Sequence, residues 1–145
     1  MVVSMDVGEA KDLHPKKKMP LGNRLARTAL NKVYNNKNVA YLGPKFKKLT
    51  IKANQALVYF DQESVKPGLN TNDGGEPRYF TLAGADRVFH PATAKIVGNH
   101  IELSSAGVQH PVAVRYAFTN YPVTNFQNKE GLPAIPFRSD GWPEQ

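Results

Sequence analysis

A succession of short β-type runs constrains the fold of this chain more than any other feature. The runs combine β-branched and aromatic residues between turn-forming Gly, Asn, Asp and Pro, and they cover residues 46–52, 55–61, 79–82, 87–90, 94–97, 100–104 and 112–118. Short strands at such regular spacing are typical of an antiparallel β-sandwich. We therefore predict a mainly β fold over residues 39–145, with the polar stretch 67–77 as a long loop and a Pro-rich tail that cannot form a central strand.

The first 38 residues follow a different pattern. Residues 2–7 are β-branched and apolar, which predicts a buried strand, and residues 19–34 predict a helix. Within that helix, Leu21, Leu25, Ala29 and Val33 recur every four residues, so we expect this apolar stripe to be buried. A strand at the N-terminus without a hairpin partner suggests the last strand of a parallel sheet that precedes the chain. We therefore place a boundary between two domains at residue 38.

The net charge of +7 is concentrated near the N-terminus. Residues 1–52 contain twelve Lys or Arg against three Asp or Glu, whereas the remainder carries a formal charge of −2. A basic patch can attract nucleic acid, but no zinc finger, RNP-like aromatic motif or GXXG loop accompanies it. No apolar run is long enough for a membrane span. We therefore interpret the basic helix as solvated or facing another domain, and we expect neither a nucleic-acid nor a membrane partner.

The loop between the predicted strand and helix carries the residues best suited to catalysis. Asp12 precedes His14 by two positions, and the carboxyl ends of strands are where α/β sheets form their sites. A carboxylate on one imidazole nitrogen orients the ring, so that the other nitrogen can accept a serine proton. An Asp and a His at this spacing also arise by chance, and an ordinary helix-entry loop remains the alternative. The absence of cysteine excludes thiolate chemistry, and no histidine spacing indicates a metal site.

Several short motifs, spread over nearly the whole chain, resemble those of a known family. They are DLHP at residues 12–15, GNRLA at 22–26, GP at 43–44, YF at 79–80, GAD at 84–86, VAVRYAF at 112–118 and GLPAIPFRSDGW at 131–142. Together they resemble the C-terminal part of the sialate O-acetylesterases, carbohydrate esterases of the Ser-Gly-Asn-His hydrolase superfamily. The resemblance implies that residues 1–38 end an α/β hydrolase domain and that a β-sandwich follows it.

The resemblance also implies roles for individual residues. His14 would be the general base and Asp12 its orienting carboxylate, in an esterase that removes acetyl groups from sialic acids or other glycans without a cofactor. The superfamily commonly spaces this pair as Asp-x-x-His, so Asp6 and Glu9 stay candidates for the acidic role. The nucleophile lies in a Gly-Gln-Ser type motif that has no match here. We therefore expect a fragment that is inactive alone, whose missing N-terminal catalytic domain is a partner and whose parent is secreted or periplasmic.

Residues of the β region allow further hypotheses. We expect Arg115 to form a structural salt bridge or to lie at an edge position in preference to contacting substrate. We expect Arg138, Asp140 and Trp142 to dock the tail back onto the catalytic domain in preference to stacking on a sugar. His90, His100 and His110 are expected to be satisfied or solvent-facing. The alternative function is a non-catalytic β-sandwich that binds carbohydrate or scaffolds an esterase domain.

Overall fold

The computed structural model describes residues 2–12, 14 and 16–143 of the chain, so Leu13 and Pro15 of the predicted catalytic loop lie outside the described residues. Its elements run in the order α1 (Lys18–Lys32), β1 (Phe46–Lys52), β2 (Gln55–Phe60), α2 (Gln62–Val65), β3 (Leu69–Thr71), β4 (Phe80–Ala83), β5 (Phe89–Pro91), β6 (Thr93–Val97), β7 (His100–Ser104), β8 (Ala113–Tyr116), β9 (Phe126–Asn128) and β10 (Phe137–Arg138). Neither described helix has the length and apolarity needed to cross a membrane.

The strands form two four-stranded sheets and one two-stranded ribbon. The first sheet has the order β1-β2-β7-β6, the second has the order β10-β8-β4-β5, and β3 pairs with β9. Every pairing is antiparallel. Apolar residues from both four-stranded sheets join one buried cluster. The prediction of a mainly β, antiparallel, sandwich-like fold is confirmed.

Aromatic rings form the centre of this core. Phe80 and Tyr116, which are register partners on β4 and β8, have ring centroids 4.6 Å apart. Phe126 of β9 lies 5.8 Å from Phe80, and Phe137 of β10 stacks on Phe46 of β1 at 4.6 Å. Since these five rings come from five different strands, packing them together fixes how the sheets and the ribbon pack.

Two predictions about individual segments were wrong. Residues 2–7 form no strand, because no other described strand pairs with them; instead the segment turns, and Val7 N–H donates to Ser4 O at 3.1 Å. The stretch 67–77 is not wholly a loop, since it contains β3. The tail contains the short edge strand β10, which agrees with its exclusion from a central position. The division into domains at residue 38 stays a prediction.

Helix α1 lies close to its predicted bounds, but its fully buried residues lie outside the predicted apolar stripe. The side chains of Leu25 and Val33 are 54% and 72% exposed, whereas Arg24 and Asn31 are the buried residues of the helix. Arg24 is buried because it pairs with Asp6, and Asn31 because its Nδ2 donates to Val39 O at 2.9 Å. The helix is therefore anchored by polar contacts, and its apolar stripe is only partly covered, since Leu21 and Ala29 are half-buried.

Candidate functional site

The predicted catalytic loop is organised by backbone-to-carboxylate hydrogen bonds. The backbone N–H of His14 donates to Asp12 Oδ1 at 2.8 Å, and the N–H of Lys16 donates to Glu9 Oε1 at 3.2 Å. An Asp that accepts a bond from the backbone two residues ahead forms an Asx-turn, which the Asp-x-His spacing allows directly. The side chains of Asp12 and His14 are exposed at the surface.

The two proposed catalytic side chains are neighbours without forming an ion pair. In the part of the chain that the structure describes, the His14 imidazole pairs with none of Asp12, Asp6 or Glu9. Asp12 Oδ2 makes no hydrogen bond within the same residues. The assignment of His14 and Asp12 as catalytic residues stays a prediction.

Asp6 is already occupied by a structural contact. Its two carboxylate oxygens accept hydrogen bonds of 2.7 and 2.6 Å from the Arg24 guanidinium, which also donates to Val3 O at 2.8 Å. Tyr121 Oη donates to Gly8 O at 3.1 Å from the other side. These contacts hold the segment before the loop against α1 and the β region. A carboxylate engaged bidentately in this way is less suited to orient an imidazole than Asp12 is.

The serine hydroxyls that form hydrogen bonds do so with backbone groups. Ser64 Oγ donates to Asp61 O at 2.6 Å, Ser105 Oγ donates to Pro91 O at 2.8 Å, and Ser139 Oγ accepts the Val114 N–H at 2.9 Å. Within the described residues, no serine hydroxyl is hydrogen-bonded to a histidine. A serine nucleophile activated by an imidazole is therefore not assembled among them.

The remaining histidines lie in structural surroundings. His100 stacks on Tyr59 with centroids 5.1 Å apart, and its Nε2 lies 3.6 Å from Glu102 Oε1. His90 lies close against Gly107, and His110 is exposed. The described residues contain no group of three or more potential metal ligands. For His110, the expectation of a solvent-facing side chain is confirmed.

The tail forms an ion pair that the sequence partly anticipates. Arg115 Nε and Nη2 donate to Asp140 at 2.9 and 2.8 Å, and the Asp140 side chain is 1% exposed. The hydrogen bond from Arg115 holds the pKa of the Asp140 carboxyl below its usual value. The expected structural salt bridge of Arg115 is confirmed, and its partner is the tail residue Asp140. The pair joins the tail to β8, so Asp140 docks onto the β region and not onto residues 1–38, where the catalytic domain was expected.

Arg115 also belongs to an arginine–aromatic face that was not predicted from the sequence. We use this name for Arg87, Phe89, Arg115, Phe118, Arg138 and Trp142. The Arg115 guanidinium lies 4.1 Å from the Phe89 ring centroid and 5.1 Å from that of Phe118. Arg138 lies 5.8 Å from Phe118, and Arg87 lies 5.4 Å from Trp142. The signal in the sequence is only a scatter of Arg and aromatic residues, since the pairing of strands brings them together.

Comparisons with known proteins agree with the carbohydrate esterase relationship. No model of a known protein family matches the chain, and no curated protein matches it. Among solved structures, a carbohydrate acetylesterase from Xanthomonas citri matches with a TM-score of 0.88 and 38% sequence identity. The match covers 94% of this chain and 31% of that enzyme, so the chain spans about a third of its length. This chain is therefore related to a carbohydrate esterase.

Proposed function

We propose that this chain is part of a carbohydrate O-acetylesterase of the Ser-Gly-Asn-His hydrolase superfamily. Its substrate would be an O-acetylated sialic acid or another acetylated glycan. One observation carries the proposal: 38% identity and a TM-score of 0.88 to a carbohydrate acetylesterase over 94% of the chain. The position of Asp12 and His14 directly before α1 adds support, because the same loop would supply the acid and base of a triad.

The proposed chemistry uses His14 as a proton carrier. The His14 imidazole accepts the proton of a serine hydroxyl supplied from outside this chain, while the serine oxygen attacks the acetyl carbonyl carbon. The same proton then passes to the departing sugar oxygen, which leaves an acetyl-serine. Water, deprotonated by His14, then attacks that ester, and His14 returns the proton to the departing serine oxygen, which releases acetate and restores the hydroxyl. Asp12 would orient the ring through Oδ2, which makes no hydrogen bond within the described residues.

We propose that a catalytic domain of the longer protein packs against α1. Exposed side chains of Met19, Leu25 and Val33 lie along the helix that follows the catalytic loop. Burying apolar surface stabilises an interface by roughly 25 cal/mol per Å², so these exposed side chains would favour a partner that covers them. A catalytic domain that covered these side chains would also approach the loop with His14. Without it, we propose that the chain has no esterase activity.

The test compares the chain alone with the longer protein that would contain it. Acetate release from an O-acetylated glycan is measured for both, together with an acetyl-serine adduct by mass spectrometry of the denatured longer protein. We expect turnover and a trapped adduct only in the longer protein. Acetate release by the chain alone would contradict the proposed division of labour. A longer protein that releases no acetate from any acetylated glycan would contradict the function itself.

The second candidate function is a non-catalytic β-sandwich that binds carbohydrate. The arginine–aromatic face favours it, because this face consists of rings and cations on the outer side of the second sheet. Under this proposal, Asp12 and His14 form an ordinary loop. Replacing His14 would then leave acetate release by the longer protein unchanged.

A further inference from the structure

Two arginines lie directly opposite each other on the outer face of the second sheet. Arg138 of β10 is the register partner of Arg115 of β8, and directly opposed residues of an antiparallel pair share a face. The neighbours of Arg115 on its strand, Val114 and Tyr116, are fully buried on the core side, so the arginines face outward. Like charges at such a pair repel each other. This face therefore needs anions to balance it.

Only one of the opposed arginines is balanced by a carboxylate within the described residues. Asp140 takes both hydrogen bonds of the Arg115 fork, and that carboxylate is almost completely buried. Arg138 donates one hydrogen bond of 3.1 Å to the neutral carbonyl of Trp142 and forms no ion pair among these residues. Arg87 also forms no ion pair there. Two guanidinium groups at this surface consequently keep their charge available to a ligand.

The rings between these cations form a platform in which Phe118 is exposed, and Phe89 and Trp142 are half-exposed. Phe118 has both Arg115 and Arg138 near its ring and is 46% exposed. Phe89 lies beneath Arg115 and 5.9 Å from Trp142, which links the two ends of the face. The bidentate pair with Asp140 fixes Arg115, so the rings that it touches are held in place before any ligand arrives. Such preorganisation reduces the entropy lost on binding.

We propose that the arginine–aromatic face is a non-catalytic binding site for a sugar that carries a carboxylate, such as a uronic acid unit of a glycan. The guanidinium of Arg138, assisted by Arg87, would bind the carboxylate, since its planar fork matches the two oxygens. The exposed Phe118 ring would take the C–H face of the pyranose. Charge complementarity is the argument for this occupant. The site needs no acetyl group and does not depend on His14.

The sole tryptophan of the chain lies within the site, which allows a direct measurement. Trp142 fluorescence is titrated with methyl glucuronoside, and with its methyl ester as an uncharged control of nearly the same shape. We expect a saturable change with the carboxylate only. Arg138→Gln should raise the Kd about tenfold, which corresponds to about 1.4 kcal/mol. Lys52→Gln, which removes an exposed charge from β1, should leave the Kd unchanged. Phe118→Ala should weaken binding without changing the melting temperature.

Several results would overturn the proposal. They are equal affinity for acid and ester, an unchanged Kd in Arg138→Gln, an equal loss in Lys52→Gln, competition by inorganic phosphate at the same concentration as the sugar, and no fluorescence change at all. All these measurements use this chain without any esterase assay. Failure of the glycan site is therefore distinguishable from failure of the proposed acetylesterase function.

Discussion

Asn128 offers the sharpest test of how the fold is held together. Its side chain is 1% exposed and makes four hydrogen bonds: Nδ2 donates to Leu42 O and Ser64 O at 3.0 Å each, and Oδ1 accepts from Glu130 N and Leu132 N at 3.1 Å each. These bonds connect β9 with the segment before β1, with α2 and with the tail. One amide therefore satisfies backbone groups from distant parts of the chain.

Asn128→Ala would leave these backbone groups without a partner. The bonds to Ser64 O and from Leu132 N are fully buried, while the other two are partly buried. A buried polar group without a partner costs about 1–3 kcal/mol, so the two fully buried groups alone should lower the free energy of unfolding by about 4 kcal/mol. For a domain with a total stability of about 5–15 kcal/mol, this is a large fraction.

The assay is urea unfolding followed by far-UV circular dichroism. Asn120→Ala, at an exposed loop position, serves as the control and should change the free energy of unfolding by less than about 0.5 kcal/mol. Asn128→Asp keeps the size of the side chain but turns an oxygen toward Leu42 O and Ser64 O, so it should destabilise at least as much as Asn128→Ala. A loss below about 1 kcal/mol in both Asn128 variants would refute the reasoning.

Three further predictions concern charge, docking and close packing. Hydrogen bonds, first from Asn125 and then from Gly75 N–H, lower the pKa of Asp73 to about 2; because the folded pKa is depressed, its stabilising effect is complete above about pH 4, the unfolded value, and is lost as pH falls toward 2. Asp73→Asn should therefore flatten the decline of melting temperature between pH 4 and 2, and an unchanged decline would contradict the assignment. Asp6→Asn should break the pair with Arg24 and speed amide hydrogen exchange in residues 3–8 at least tenfold; unchanged exchange there would show that the pair does not hold the segment. Gly43→Ala would place a Cβ 1.9 Å from the Pro133 carbonyl oxygen, so thermal melting should show a loss of about 3 kcal/mol, and a stability equal to wild type would contradict the close approach.

The part of the fold that is local in sequence could be predicted. The bounds of β1 match the predicted run 46–52, since alternation, β-branched residues and a tight turn lie within the same short stretch. The strands β3 and β9 could not be found in this way, because Leu69 pairs with Asn128 and each strand is only three residues long. Their formation depends on a distant partner and on core burial of Phe126, which no short window contains.

The difference between local patterns and distant partners also explains the two wrong predictions near the N-terminus. Residues 2–7 have strand-like composition, but a strand also needs a neighbouring strand for its backbone groups, and the described chain provides none. The helical period of α1 was predicted, but it assumed that apolar residues face inward. Arg24 is instead buried, because Asp6 and Val3 O accept hydrogen bonds from its guanidinium. A partner eighteen residues away cannot be read from the periodicity of the helix.

The candidate site could be predicted only in part. The Asp12–His14 spacing and its place before a helix were available from sequence, whereas the exposure of both side chains was not. The arginine–aromatic face was not predicted, because Arg115 and Arg138 become neighbours only through the pairing of β8 with β10. The register between β8 and β10 therefore brings the residues of this candidate glycan site together, and no sequence motif predicts it.

Replacing His14 in the longer protein tests the central claim most directly. The kcat/KM for an acetyl ester is measured for the wild type, for His14→Ala and for His110→Ala, where His110 is a second exposed histidine of the same chain. Removal of a general base typically costs at least a hundredfold in rate. We predict such a loss in His14→Ala and wild-type kcat/KM in His110→Ala. Wild-type kcat/KM in His14→Ala would contradict the account.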